Sequence, residues 1–314
     1  MDIKNKKCLI IFNPISGKGT NANILKEYQK ILNARGYEVD LISTKHNNHA
    51  TEIMEHAGDY DIVFSIGGDG TLNEVIRGNY LRKDRLTICP LPSGTCNDVA
   101  TMLGYGKNPI DNLKKALDGE INTIDIGTVN NKPFVYVAGM GKLMNIPYET
   151  KSEEKRKNGY LAYIKASLGE IFNAVERYKA EVIVDGIKLD EKYSLIMVSN
   201  SNHIAGINNF YKNVCLNDGK MEVILCTAEN KRQFIINFLK FFSGQPTTDI
   251  VSLKAREVSI KLFEIPEKNW CVDGEKYNYY GDEYHIKIDD NMKILVPKTK
   301  VKKLFRNENG ANRH

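Results

Sequence analysis

Over roughly its first 130 residues the chain switches back and forth between two periodicities. Short apolar runs at residues 8–12, 39–43, 62–66 and 86–89 read as buried strands. Each is followed by apolar residues at helical spacing. After the first run these are Ile24, Leu25, Tyr28, Ile31 and Leu32, closed by Gly36 as a C-cap. Further helices are expected at 49–57, 72–80, 97–103 and 110–117. Such a strand–helix alternation predicts a parallel sheet covered on both faces, which binds ligands outside the C-terminal ends of its strands. After about residue 121 the rhythm changes. Strands are expected at 121–129, 134–137, 180–184, 193–199, 221–226, 257–263, 270–272, 284–288 and 293–296, with hairpin turns such as Asp185-Gly186 and Asp289-Asp290-Asn291. Two helices interrupt them, at 159–178 and 231–242. The second half reads as an antiparallel β-rich domain, and a cleft between the halves is the expected place for a substrate.

Composition narrows the classes. The chain has 314 residues, 42% hydrophobic and 26% charged, which fits a globular protein of one large or two ordinary domains. No apolar run approaches the length of a transmembrane helix, and the N-terminus lacks a signal-peptide pattern, so an intracellular, cytoplasmic protein is expected. The net charge of +5 is too mild to call for nucleic acid. Basic residues cluster at 151–157 and 298–306, where they form solvated faces or attract an anionic membrane. The six cysteines form no Cys-x-x-Cys pair and read as free thiols rather than as a metal site or disulfide framework.

The chemistry concentrates at the strand–helix junctions. Gly67, Gly68, Asp69, Gly70 and Thr71 follow the third strand and open a helix. Glycines permit a tight turn and close approach of backbone to ligand, and a helix N-terminus favours an anion. A carboxylate planted there, Asp69, makes sense where a divalent cation lies between it and phosphates. Asn13, Pro14, Ile15, Ser16 and Gly17, with Lys18 and Gly19, follow the first strand and offer a glycine-rich basic loop without the spacing of a Walker A motif. The run from Pro92 through Ser93, Gly94, Thr95, Cys96 and Asn97 to Asp98 follows the fourth strand, and Asp98 reads equally as a first-turn helix acid. Asp125 is a lone acid in an apolar strand and needs a partner or a cation. In the second half, Asp218-Gly219 and Asp273-Gly274-Glu275 read as hairpin turns, or as a loop and a base turned toward the cleft.

Taken in order, these motifs resemble the diacylglycerol kinase catalytic family, especially its soluble bacterial lipid kinases. The resemblance covers nearly the whole chain. It implies an N-terminal α/β nucleotide-binding domain at 1–128, a C-terminal β-sandwich-like lipid domain at 129–297, and a chain end at 298–314 that returns to the first domain. It implies transfer of the γ-phosphoryl group of ATP to a lipid hydroxyl, with Mg²⁺; diacylglycerol, giving phosphatidic acid, comes first among acceptors that include monoacylglycerol, sphingoid bases and undecaprenol, since pocket shape decides among them. Carried over by position, Asn13, Pro14, Ile15, Ser16, Gly17, Thr44, Gly67, Gly68, Asp69, Gly70, Thr71, Leu72, Asn73, Glu74 and Thr95 correspond to nucleotide contacts. Asp69, Asp98 and Asp125 correspond to acids that organise catalytic Mg²⁺, partly through water, and Glu275 to a general base. Asp218, with the carbonyls of Cys215 and Lys220, corresponds to a structural Mg²⁺ site. The implied partners are a lipid alcohol and a transient peripheral membrane contact; 151–157 and the amphipathic helix that follows either dock there or pack on their own sandwich, and a homodimer is compatible with the family. The stretch around 199–213 departs from the family, lacking its Gly-Gly pair and Ala-Pro dipeptide. An NAD kinase shares the Gly67–Thr71 run but accounts less well for 13–19 and 92–98, a phosphofructokinase does not suit the β-rich half, and a lipid-binding regulator without turnover would not need the four acids.

Overall fold

Cys8, Leu9, Ile10 and Ile11 are each at most 1% exposed. Such a run, covered on both faces, is what the middle of a parallel sheet requires. In the computed structural model, which describes residues 6–16, 22–146, 170, 173–211, 213–266 and 269–306, they lie in β1 (Lys6–Phe12). The chain divides into two compact units, one formed by residues 1–124 and 291–314 and the other by 125–290.

The first unit continues through α1 (Ala22–Ala34), β2 (Tyr37–Ser43), α2 (His49–Glu55), β3 (Ile62–Gly67), α3 (Asp69–Leu81), β4 (Thr87–Pro92), α4 (Asp98–Met102) and α5 (Pro109–Leu117). It then enters β5 (Glu120–Val129), within which the chain passes to the second unit. β1 pairs in parallel with β2 on one side and β3 on the other, and β3 pairs in parallel with β4. β2 alternates between half-buried and exposed residues, as an edge strand does. Tyr28 of α1 donates from its hydroxyl to the Pro109 carbonyl at the start of α5 at 2.9 Å, while Thr51 of α2 donates to the Glu74 carbonyl of α3 at 3.0 Å. α1 with α5, and α2 with α3, thus form two helical layers, as right-handed crossovers of this strand order demand.

The second unit is antiparallel. It contains β6 (Lys132–Phe134), β7 (Val137–Gly141), β8 (Tyr178–Val184), β9 (Ile187–Tyr193), β10 (Leu195–Ser199), the small hairpin β11 (His203–Ile204) and β12 (Ile207–Asn208), and β13 (Met221–Cys226). After α6 (Lys231–Ser243) come β14 (Ile250–Ala255), β15 (Glu257–Leu262), β16 (Cys271–Val272), β17 (Glu275–Lys276) and β18 (Glu283–Val296). One sheet runs β14-β13-β10-β7-β16-β17, and β18-β15-β8-β9 is the second unit's part of a ten-stranded sheet that β18 continues to β4. Their inward residues share one core, with Ile196, Val198, Val223 and Leu225 from the first and Val182, Val184, Val258 and Ile260 from the second. Trp270 stacks on Tyr284 within it at 4.3 Å between ring centroids.

The sequence reading needs correction at three places. Residues 284–296 do not form a hairpin around Asp289-Asp290-Asn291; β18 runs straight through. Its even positions stay buried or half-buried and its odd positions exposed from Glu283 to Lys293, so the period-two pattern prevails over the turn-forming composition. The expected strand 134–137 is broken instead, because the amides of Val135 and Tyr136 are taken by the Asp273 carboxylate. The expected helix 159–178 lies mostly outside the described residues, but 174–177 are not helical and Tyr178 opens β8. The stretch around 199–213, where the chain departs from the family pattern, holds β11 and β12, turned by Ala205 and Gly206 at positive φ.

Past Asp290, β18 returns to the first unit, where Ile294 pairs in parallel with Ile88 of β4. α7 (Lys298–Leu304) follows, burying Val301 and Leu304. All six cysteines are free. Among the described residues no helix is long and apolar enough to cross a membrane.

Asp273 joins the β6–β7 connection to the β16–β17 hairpin. Its Oδ2 accepts from Val135 N at 2.7 Å, and its Oδ1 from Tyr136 N at 2.9 Å and Val137 N at 3.1 Å. Removing the carboxylate strands these amides in a buried place. Asp273→Ala should therefore cost about 3 kcal/mol or more. Asp273→Asn should cost less, since one oxygen remains for Tyr136 and Val137 while an N–H now opposes that of Val135. Chemical denaturation of the two variants checks the order.

Candidate active site

The first unit's strand order, β2-β1-β3-β4, reverses direction at β1. The chain leaves β1 toward β2 and then returns past β1 to reach β3. The loops after β1 and β3 therefore diverge at a topological switch point, where an open parallel sheet has its ligand crevice.

Three loops meet there. Asn13 at the end of β1 donates its amide to the Ile66 carbonyl at 3.0 Å and its Nδ2 to Thr71 Oγ1 at 3.4 Å, while its Oδ1 accepts from Ile15 N at 3.0 Å. Pro14 and Ile15 are exposed, Ser16 is half-buried, and Gly17 lies outside the described residues. Thr44, just past β2, donates its amide to the Phe12 carbonyl at 2.9 Å and so joins the same edge. Ser93 N bonds the Gly67 carbonyl at 2.8 Å. The backbones of Gly68 and Gly94 touch: a Cβ on Gly94 would lie 2.4 Å from the Gly68 Cα. Asn97, in the left-handed region at φ 53°, locks this last loop, its Oδ1 accepting from Gly94 N and its Nδ2 donating to the Gly94 carbonyl. Thr95 is half-buried inside that closed turn.

α3 begins at Asp69, so Asp69 and Gly70 belong to its first turn rather than to the preceding loop. Gly70 is exposed, and a Cβ there would meet nothing within 4 Å. Thr71, Leu72 and Asn73 are buried. Asn73 Oδ1 accepts from Arg77 Nη2 at 2.7 Å. Glu74 accepts from Asn48 N at 2.9 Å and Ala50 N at 3.1 Å, so its carboxylate caps α2. The side chains of 72–74 thus support the turn from behind, and its outward surface is the backbone at 68–71.

Asp69 is half-buried, with its carboxyl turned toward the start of α4, where its Oδ1 accepts from Val99 N at 3.4 Å. Burial first, and the charge of Asp98 second, push its pKa up to about 7, although the amides of Val99, Asn97 and Asp98 pull it back. Asp98 is itself 3% exposed. One buried and one half-buried acid side by side, with the Gly67–Gly68 turn next to them, form a donor set that suits a hard divalent cation shared with phosphate oxygens.

The remaining acids predicted for the site belong to the second unit. Asp125 is buried; its amide bonds the Leu216 carbonyl at 2.7 Å and its Oδ2 accepts from Gly219 N at 2.7 Å. Burial, with a smaller contribution from Asp218, pushes its pKa up to about 6. Asn200 Nδ2 holds the Asp125 carbonyl at 2.9 Å. The structure therefore brings Asp69 to Asp98, and Asp125 to the Asp218 loop. In that loop Asp218 Oδ1 accepts from Lys220 N at 3.2 Å, and Cys215 Sγ contacts Asn217 Oδ1 at 3.3 Å. Its Oδ2 faces Lys254 Nζ at 3.5 Å. An ammonium thus already faces one oxygen of the carboxylate that the resemblance assigns to a structural Mg²⁺ site. Glu275, half-buried, opens β17 directly after the Asp273-Gly274 turn, whose two residues have φ 49° and 81°.

Three contributors carry no clear signal in the sequence. Asn97 and Asn200 act by holding backbone groups, and Lys254 acts from another strand. Asp273 differs, because Asp273-Gly274, as a turn pair next to an acid, marks its place in the sequence.

Residues 7–129 match the diacylglycerol kinase catalytic domain, and residues 147–289 match the YegS C-terminal NAD kinase beta sandwich-like domain. The diacylglycerol kinase of Bacillus subtilis (strain 168) is 29% identical over 307 residues, covering 95% of this chain and 99% of that protein. That of Staphylococcus aureus (strain Newman) is 28% identical over 292 residues, covering 90% and 92%. A crystal structure of a diacylglycerol kinase from Bacillus anthracis str. Sterne superposes with a TM-score of 0.75 at 26% identity, covering 95% of this chain and 99% of the other. With both domains matched and the relatives aligned nearly end to end, the chain belongs to the diacylglycerol kinase catalytic family and is a lipid kinase.

Proposed function

We propose that the chain transfers the γ-phosphoryl group of ATP to the free hydroxyl of diacylglycerol, giving phosphatidic acid and ADP. The observation that carries this reading is the Asp69–Asp98 carboxyl pair set beside the Gly67–Gly68 turn at the switch point of the sheet. The acceptor is inferred from relatives named as diacylglycerol kinases along nearly their whole length.

Asn13, Pro14, Ile15, Ser16 and Gly17, with Thr44 and Thr95, surround the nucleotide, and the backbone of Gly67, Gly68, Gly70 and Thr71 faces its phosphates. Leu72, Asn73 and Glu74 hold that turn in place. Asp69 and Asp98 would hold Mg²⁺, which would supply neutralisation of the charge that develops on the transferring phosphoryl group. Glu275 accepts the proton of the lipid hydroxyl as that oxygen bonds the γ-phosphorus and the bond to the bridging oxygen of ADP breaks. Asp125 positions the Asp218 loop through Gly219.

The lipid substrate resides in a membrane, and α6 offers the contact. Leu239, Phe242 and Ile236 are 65%, 41% and 40% exposed on a helix that carries Lys231, Arg232 and Lys240 and no acid. An apolar outer stripe with basic neighbours is the pattern of a helix that lies in an anionic interface. The segment 151–157, expected from the sequence to dock, lies outside the described residues.

Incubation with labelled ATP and separate diacylglycerol, sphingoid-base and NAD acceptors tests the reaction. Labelled phosphatidic acid is expected; labelled NADP, or no product, would overturn the reading. Glu275→Gln should lower kcat by about 10²–10⁴-fold with the fold intact, and near-normal turnover would remove it from the base role.

Asp69→Asn should abolish turnover and also change the pH dependence of stability. The folded-state pKa of Asp69 lies above its ordinary 3.8, at about 7, so the wild-type protein loses stability as pH rises between these values. In EDTA, the Asn variant should therefore match the wild type near pH 4 and exceed it in Tm at about pH 8. Leu239→Glu should reduce co-flotation with phosphatidylglycerol vesicles by about tenfold, while turnover of detergent-dispersed diacylglycerol is retained. Unchanged flotation would dismiss α6 as the docking face.

A further inference from the structure

The Asp218 loop gathers acidic groups in a place with little water. Asp218 and Glu222 have side chains only 3% and 5% exposed, and Asp125 reaches the same loop through Gly219. A buried carboxylate cluster needs a cation. The register of the sheet supplies one: β13 and β14 are antiparallel, with Glu222 directly opposite Lys254, so both side chains emerge on the same face. Lys254 Nζ lies 3.3 Å from Glu222 Oε1 and 3.5 Å from Asp218 Oδ2, and it donates to the Asn213 carbonyl at 3.1 Å. An ammonium has three donors and no acceptor. Here three oxygens, from the loop's start, its tip and the strand after it, receive them.

We propose that the Lys254 ammonium is the resident cation of the Asp218 loop, held by the same Asp218 carboxylate that the family pattern assigns to a divalent ion. It binds a carbonyl and two carboxylates, which is the donor type a hard cation would take. Because it is tethered to β14, the loop is ordered by the fold itself and not by metal in solution. A divalent ion could enter only by displacing the ammonium, since both would compete for the same Asp218 oxygen. The Asp218 loop is then indifferent to free Mg²⁺.

The test uses the full chain without nucleotide and follows amide hydrogen exchange in 213–222. In the wild type, protection of this segment should be the same in EDTA and in millimolar Mg²⁺. Lys254→Met keeps the aliphatic stem and removes the charge. Its segment should lose protection by about tenfold or more in EDTA, and Mg²⁺ should restore it, because Asp218 and Glu222 are left uncompensated. Lys254→Arg should remain insensitive to metal and checks that the Met result reflects charge rather than misfolding. A wild-type loop that gains protection from Mg²⁺ would overturn the proposal. So would a Met variant as protected in EDTA as the wild type, or a loss that Mg²⁺ does not repair.

Discussion

The first unit's site depends on one contact between two backbones. Gly68 and Gly94 approach so closely that a single methyl group on Gly94 would lie 2.4 Å from the Gly68 Cα. That approach brings the N-termini of α3 and α4 together, and with them Asp69 and Asp98. The amides of α4 can then act on the Asp69 carboxylate, and the two acids share one partly dry place. The cost is electrostatic: a carboxyl whose pKa is pushed up to about 7 is held where its charge is unwelcome. Holding two acids together in this way costs stability that an uncharged pair would not cost.

The second unit places its acids by a different device. Asp273 is not itself exposed to a substrate; its carboxylate collects the amides of Val135, Tyr136 and Val137. This ends β6, starts β7 in a new direction and fixes the hairpin that carries Glu275. Lys254 does the same for the Asp218 loop with an ammonium. In both cases an ionic group sets where a turn sits.

The parallel half was legible because its signals are local. Strand–helix alternation, glycines at strand ends and acids in first turns each lie within a few residues of what they determine, and β3, β4 and β13 fall close to where periodicity places them. The misreadings share another cause. The break at Val135 and Tyr136 is imposed by Asp273, more than 130 residues away. The Lys254–Glu222 pairing is a matter of strand register, which no local pattern in 215–222 announces. Asp289-Asp290-Asn291 has the composition of a turn, and only the alternation on both sides of it reveals a continuous strand. Distant partners and sheet register were what the sequence concealed, and composition was what it misrepresented.

The continuity of β18 bears on how the protein is made. The strand that pairs with β4 is supplied by residues that follow the whole of the second unit in the chain. During synthesis, β1 to β4 emerge first, yet the edge of β4 stays open until Ile294 and its neighbours leave the ribosome. Tyr105 likewise waits to donate its hydroxyl to the Leu295 carbonyl, a bond of 2.8 Å spanning 190 residues. The N-terminal unit is thus the first to appear and the last to be completed. Its glycine loops are assembled on a sheet that cannot close before the second unit has been translated in full, so an interrupted chain would present an unpaired strand edge rather than a finished site.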